Sequence, residues 1–381
     1  MATIRINNFS KEIYDNGYRV SADINGIPLW FESEDASLVP SAEGFAAAMI
    51  FTGLKGNSDL VVDAPLSTEW LKNVSQLLSK LTSWWNVPQI AIHCVGEKKK
   101  EVIEAECTGL CFTAGADSFY SLRHHHEKRI DNLIYIHGYD IPLSDKKRIE
   151  SYKKSLVSIS AAVGSKAVIM RTNLRQHPYY KGINWSRSHG AAIVAAAYMI
   201  EGLTGLIISA SFPYAYNSPW GTHWEIDHLW SSERLAVSHF GADLWRTEKL
   251  TRMKDDPLVQ QHLRVCWEQK NNAVNCCCCE KCLRTMLVLN QCDALDRFIT
   301  FSDRPVHEIV NEVAAVEPHL LPVYEAFLAQ SRFEELSQAL KKLIKQSSSS
   351  PVPGKIRKKM RKRWKRILRM LYQHHTRWKH V

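Results

Sequence analysis

Two groups of residues in this 381-residue chain have the types and spacing to do chemistry. Six of the ten cysteines lie between Cys266 and Cys282, and Cys266, Cys276, Cys279 and Cys282 follow the spacing C-x9-C-x2-C-x2-C. Four thiolates so spaced can converge tetrahedrally on one Zn2+, the two-residue knuckles turning successive sulfurs inward. A full thiolate shell leaves no open position, so the expected role is structural. An iron–sulfur cluster on the same ligands competes with zinc, as do buried or disulfide-bonded cysteines. Cys277 and Cys278 are then bystanders. The second group is Cys111-Phe-Thr-Ala-Gly-Ala-Asp-Ser-Phe-Tyr-Ser-Leu122. An apolar run, Leu110–Phe112, breaks into small residues, Thr113–Ala116, and a helical pattern starts at Asp117 or Ser118. A strand entering a tight turn and then a helix gathers unpaired amide groups that suit a phosphate. Thr113, Ala114, Gly115, Ala116, Asp117 and Ser118 are the candidate cradle. Thr113 and Ser118 add hydroxyl donors, and Asp117 can cap the helix or help to hold Mg2+. An ordinary capped strand–turn–helix junction is the alternative.

Those loops need a scaffold. Strand-like runs at Leu110–Phe112, Leu133–His137, Ala167–Arg171, Leu206–Ser211 and Leu235–Phe240 alternate with helix-compatible segments, the signature of an α/β domain with a parallel sheet. Its strand-end loops, Ile136–Leu143, Arg171–Arg175 and Pro219–Asp227, are rich in polar and aromatic side chains. Of the histidines there, His223 is the best candidate for proton transfer because it shares a loop with Asp227; a locally hydrogen-bonded structural histidine is the competing reading for it and for His189 and His228. His124-His-His126 is expected inside the helix after the cradle, where three successive side chains cannot share a face. It reads as a solvated run.

Together the two motifs resemble the PP-loop ATP pyrophosphatases of the adenine nucleotide alpha hydrolase type, most closely the 7-cyano-7-deazaguanine synthase-like branch. The superfamily's SGGxDS is matched by Thr113-Ala-Gly-Ala-Asp-Ser118. The branch's CGxCxxCxxR is matched through its three cysteines by Cys276-Cys-Cys-Cys-Glu-Lys-Cys282, with Arg284 one position short of the pattern's arginine, Cys266 as the earlier ligand and Arg246-Thr-Glu-Lys249 as the basic segment ahead of it. The resemblance covers about residues 106 to 295. It implies a five-stranded, doubly wound parallel (HUP-like) sheet, ATP at the strands' carboxyl ends, and adenine near the backbone of Ile136 and His137; Arg175 or Arg187 could then meet phosphate, with ordinary surface arginines as the alternative reading. The implied activity is that of an AMP-forming, pyrophosphate-releasing ligase that adenylates a carboxylate or carbonyl of a small molecule, with a nitrogen or sulfur nucleophile then displacing AMP. Two glycines of the family patterns are replaced, by Ala114 and by Cys277. Alanine fits if its φ is negative and is strained if the turn needs a positive φ. The loop holding His223 and Asp227 does not reproduce the branch's substrate pattern.

Residues 1–105 read as a separate α+β module, a substrate lid or an assembly surface such as a homo-oligomer would use. Residues 106–300 read as the nucleotide domain with its four-cysteine element, 301–345 as a helical cap, and 346–381 as a linker and basic tail. Net charge is +10, yet the last 36 residues hold 12 Lys or Arg and no acid, which leaves 37 basic against 39 acidic residues and a net of −2 elsewhere. In the tail, Ile356, Met360, Trp364, Ile367, Leu368 and Leu371 recur at helical spacing among basic residues. That pattern suits an anionic membrane surface, RNA, or a solvated tail without partner. No transmembrane helix is expected: the apolar stretch 190–212 is divided by Glu201-Gly202. With no leader visible and many thiolates, the cytoplasm is the expected compartment, with peripheral membrane contact through the tail. The rival functions are a tRNA-modifying enzyme of the same chemistry and a non-catalytic nucleotide-binding protein.

Overall fold

The computed structural model describes residues 2–98, 106–268, 270–271, 273–318 and 320–348. Two compact units divide the chain, Met1–Leu244 and Trp245 onward. The first opens with β1 (Ala2–Tyr14), β2 (Gly17–Ile24) and β3 (Ile27–Ser33), an antiparallel meander. Asn25 and Gly26, both at positive φ (48° and 81°), make the β2–β3 turn, as a two-residue hairpin loop requires. There follow α1 (Ala42–Gly56), β4 (Ser58–Val62), β5 (Leu66–Ser67), α2 (Thr68–Trp85), β6 (Ile92–Cys94) and β7 (Glu97–Lys98). Both helices start at a serine whose side chain accepts a first-turn amide, Ser41 and Ser67, and stop at a left-handed asparagine, Asn57 and Asn86.

An alternating series comes next: β8 (Thr108–Cys111), α3 (Ala116–His124), β9 (Asn132–His137), α4 (Lys146–Val163), β10 (Lys166–Thr172), α5 (Trp185–Met199), β11 (Gly205–Ser209) and β12 (Ala236–Phe240). Each of the five strands lies within two residues of its expected run. One ten-stranded sheet results, in the order β12-β11-β8-β9-β10-β3-β2-β1-β4-β6, six of its nine neighbouring pairs being parallel. β8 is the switch strand. The chain moves from it one way through β9 and β10 and the other way through β11 and β12, the order 3-2-1-4-5.

Side chains alternate across the sheet. Ile134, Ile136, Met170, Leu206 and Ile208 enter a core shared with α1, α2 and the alanine-rich α5. Tyr135, on the opposite face, packs on Tyr152 of α4 with ring centres 4.1 Å apart, and Phe112 packs on Phe119 of α3 at 5.1 Å. α1 is buried on nearly every side, and each of Phe45, Met49 and Ile50 contributes about 1.5–3 kcal/mol by leaving water.

The expected N-terminal module is not a separate body. β3 pairs antiparallel with β10 through Ser33–Met170, Glu32–Arg171 and Phe31–Thr172, so the first strands extend the same sheet. Buried Glu32 reinforces the seam by binding Arg19 from β2 and, at 3.1 Å, Arg171 from β10. The second unit is helical: α6 (Arg246–Arg252), α7 (Pro257–His262), α8 (Glu280–Gln291), α9 (Val306–Glu312), α10 (Leu321–Ala329) and α11 (Glu334–Ser348). α9, α10 and α11 occupy the span read as helical, and α11 takes in the first serines of the expected linker; Ser347 Oγ accepts the Val316 amide at 2.9 Å. The basic amphipathic segment lies outside the described residues. Among the described residues there are eleven α-helices, none long and apolar enough to cross a membrane.

Candidate functional site

The expected phosphate cradle follows the switch strand directly. After β8 the chain turns at Thr113–Gly115 and enters α3. Gly115, not Asp117, is the N-cap; it offers no side-chain cap, and Asp117 sits in the first turn. The amides that open α3 therefore have no side-chain acceptor at the cap, the condition under which a helix start attracts an anion. Ser118 closes the turn: its Oγ donates to the Gly115 carbonyl at 3.0 Å and accepts the Thr113 amide at 3.4 Å. The hydroxyl hydrogen expected to meet phosphate is thus directed to the loop's own backbone. Tyr152 on α4 holds the loop from below, donating to the Phe112 carbonyl at 2.8 Å.

Ala114 adopts φ 56°, the left-handed conformation that a Cβ disfavours. Seven non-glycine residues among those described have positive φ; five are Asn or Asp, which tolerate it, and the other two are Ala114 and Cys277 (58°). Both replace glycines of the family patterns.

Because the strands around β8 are parallel, their carboxyl ends share one edge of the sheet. Ile136 and His137 end β9, beside β8, and both are buried. His137 Nε2 lies 3.0 Å from the Pro142 carbonyl, and burial lowers its pKa. Beyond β10, the Arg175 guanidinium stands 4.7 Å over the Trp185 ring and donates to the Tyr139 carbonyl, so it braces the loop after β9. Arg187 covers Trp85 at 5.3 Å.

His223 and Asp227 lie in the connection from β11 to β12, but not as an imidazole–carboxylate pair. His223 Nδ1 accepts the Glu225 amide at 3.1 Å, its ring stands edge-on to Trp84 at 4.9 Å, and burial lowers its pKa. Asp227, fully buried, accepts the His223 backbone amide at 3.0 Å on Oδ1 and contacts His239 Nδ1 at 2.6 Å with Oδ2. His239, on β12, had no local signal, since a lone histidine in an apolar strand looks like any other. The connection packs tightly on α5: a Cβ at Gly190 would lie 2.0 Å from the Gly221 carbonyl oxygen. His189 bridges the same two segments, with Nδ1 3.0 Å from the Trp185 carbonyl and Nε2 3.2 Å from Thr222 Oγ1. The histidine run differs from expectation too. α3 ends at His124, which stacks on Tyr120 at 4.3 Å, while His125 packs edge-on to Phe240 at 4.9 Å.

In the second unit, Cys266, Cys276, Cys279 and Cys282 are buried, with all four sulfurs within 4.8 Å of one another. The Cys276–Cys282 sulfurs are 4.0 Å apart, far beyond a disulfide and close to the ~3.8 Å between thiolates on one tetrahedral Zn2+. None of the ten cysteines is joined in a disulfide among the described residues. Hydrogen bonding to Cys266 pushes Cys279 up to about 12 and Cys282 upward as well, because crowded sulfurs without a countercharge hold their protons. A dication reverses that preference, and the donor set fits a metal such as zinc. Cys279 is also the N-cap of α8, accepting the Cys282 amide at 3.5 Å.

Asn275 ties the cluster together. Its Oδ1 accepts the amides of Val265 (2.8 Å) and Cys266 (3.1 Å), and its Nδ2 donates to the Leu263 carbonyl (2.8 Å). The bystander Cys277 turns away, its sulfur accepting the Ser302 amide at 3.3 Å. Comparison with family models, with curated proteins and with solved structures finds no match.

Proposed function

We propose that the chain is an AMP-forming, ATP-dependent ligase of the PP-loop type with a HUP-like nucleotide domain, acting on a small molecule in the cytoplasm. One observation carries the reading: the Thr113–Ser118 turn follows the switch strand of a 3-2-1-4-5 parallel array and keeps Ala114 at φ 56°, where the family motif has glycine. A turn that holds a non-glycine residue in a costly left-handed conformation is fixed by its surroundings, and backbone strain of that kind clusters at functional sites. Cys277 at 58° repeats the argument in the metal loop.

In this reading the amides opening α3 receive phosphate oxygens, and their dipoles meet the negative charge that grows as the α-phosphate is attacked. Asp117, in the first turn of α3, would be the residue to hold Mg2+, whose charge would offset that of the leaving pyrophosphate. The buried edge at Ile136 and His137 offers backbone and an apolar wall to adenine. Arg175 orders the loop beside it. The four cysteines would hold Zn2+ in a structural role, with no open position for substrate. Ten cysteines without a disulfide among the described residues are consistent with a reducing compartment.

Pyrophosphate release from ATP, measured across a panel of carboxylic acids with ammonium as nitrogen donor, tests the proposal. Release that depends on one acid class and falls at least about 100-fold in Asp117→Ala is expected. Metal-loaded protein that neither binds ATP nor releases pyrophosphate would refute it.

A further inference from the structure

Asp227 and His239 form a buried acid–imidazole pair that neither motif accounts for. His239 is the next-to-last residue of β12, and in register it sits beside Ile208 of β11. Its side chain therefore enters the sheet face covered by α1, α2 and α5, where Ile208 and Val237 are core residues. There the Asp227 carboxylate meets Nδ1 at 2.6 Å, with side-chain exposures of 0% for Asp227 and 6% for His239. The carboxylate cannot swing away, because its other oxygen accepts the His223 amide and the Asp227 amide returns to the His223 carbonyl at 2.9 Å. An acceptor so fixed keeps the proton on Nδ1 and leaves Nε2 as the basic nitrogen. Among the described residues Nε2 has no hydrogen-bond partner. The neighbouring His223 is unsuited to this work, since its Nδ1 already accepts the Glu225 amide and its buried Nε2 faces no acceptor.

We propose that His239 is the general base of the second half-reaction and that Asp227 is its positioning residue, an inference that rests on the AMP-forming reading. When ammonia or an amine attacks the adenylated carboxyl carbon, its lone pair forms the C–N bond. The C–O bond to the phosphate of AMP breaks, and AMP departs with that electron pair. The surplus nitrogen proton passes to His239 Nε2, and the imidazolium so formed is stabilised by the Asp227 carboxylate.

The first test needs no substrate. Diethyl pyrocarbonate modifies accessible neutral imidazole nitrogens, and peptide mass spectrometry of the full-length protein at pH 7 reads each site. Carbethoxylation of His239, at least about fivefold slower in Asp227→Asn with exposed His126 unchanged as reference, is expected. An unreactive His239 in the wild-type protein overturns the assignment even if Asp227→Asn fails to fold. The second test separates the half-reactions with ATP, ammonium chloride and the carboxylic acid that supports ATP–pyrophosphate exchange. His239→Gln should keep exchange within about threefold and lose roughly 100-fold in amide formation. Equal loss in both steps, or in neither, overturns the proposal. If the wild-type protein shows no exchange at all, the AMP-forming reading fails separately, and carbethoxylation still decides whether His239 is an oriented base.

Discussion

At the scale of single residues, Ala114 and Cys277 are, among the described residues, the two non-glycine positions other than Asn and Asp held at positive φ. A Cβ in the left-handed region costs about 1–2 kcal/mol, partly offset by the greater unfolded-state freedom of glycine. Ala114→Gly should therefore raise stability by about 1 kcal/mol in urea denaturation, and Ala114→Val should lower it by more than that, since a β-branched side chain tolerates positive φ least. If Ala114→Gly destabilises the protein, the turn is not left-handed in solution. The four cysteines were legible as a cluster because metal-ligand chemistry is written in local spacing, and at Thr113–Ser118 the strand–turn–helix junction was legible from the break between apolar and small residues. The sign of φ at Ala114 was not, since sequence names the residue and only the closed turn fixes its backbone. His239 was illegible for a different reason: its role comes from Asp227, twelve residues away, in a contact made only when β12 joins the sheet.

At the scale of elements, the strands after residue 107 were readable from apolar runs bounded by polar loops, and the helices from periodicity. Strand pairing was not. Nothing local in Phe31–Ser33 announces β10 as its partner, because antiparallel neighbours are chosen by shared burial and by ion pairs such as Glu32–Arg171. β6, only three residues long, carried too little pattern to be seen. The metal loop shows the same division. Cysteine spacing was visible, yet the element that sets it, Asn275 between Leu263–Cys266 and the knuckles, lacks a signature beyond adjacency to Cys276. Asn275→Ala would strand the Val265 and Cys266 amides and the Leu263 carbonyl in a buried site, at a cost on the order of 2–4 kcal/mol. It should also weaken metal binding about 10- to 100-fold, as loss of a ligand-positioning group does. Metal content by mass spectrometry and chelator competition check this: about one metal per chain in the wild type, and wild-type retention in Asn275→Ala would show that the cysteines need no such brace.

For the molecule as a whole, acid acts first through buried histidines, and the pKa of His262 in the second unit is lowered by burial as those of the first unit are. In the first unit, burial lowers the pKa of His137, His177, His189 and His223. In the unfolded chain these histidines take up protons near pH 6.5. Between that value and their lower folded values the unfolded state binds more protons, so their contribution is intact above pH 6.5 and lost as pH falls below it. Glu201, lowered by its bond from Ser37, and Glu225, lowered by Lys80, add a later step. Their contribution is present above about pH 4.5 and lost as pH drops through their folded values. The second unit would have a further sensitivity wherever its four cysteines hold a metal, since protons would compete with it for the thiolates. Urea midpoints should therefore be flat above pH 7, fall from about pH 6.5, and fall again below about pH 4.5. His177→Asn should remove about one proton's worth of slope from the first step and leave the second unchanged. His177 suits the experiment because its ring, 3.2 Å from the Ile27 carbonyl, is remote in sequence from every residue assigned to the cradle or the dyad. A stability curve level down to pH 5 would mean that these imidazoles are solvated rather than buried, and with them the strand-end loops that the proposed site is built from.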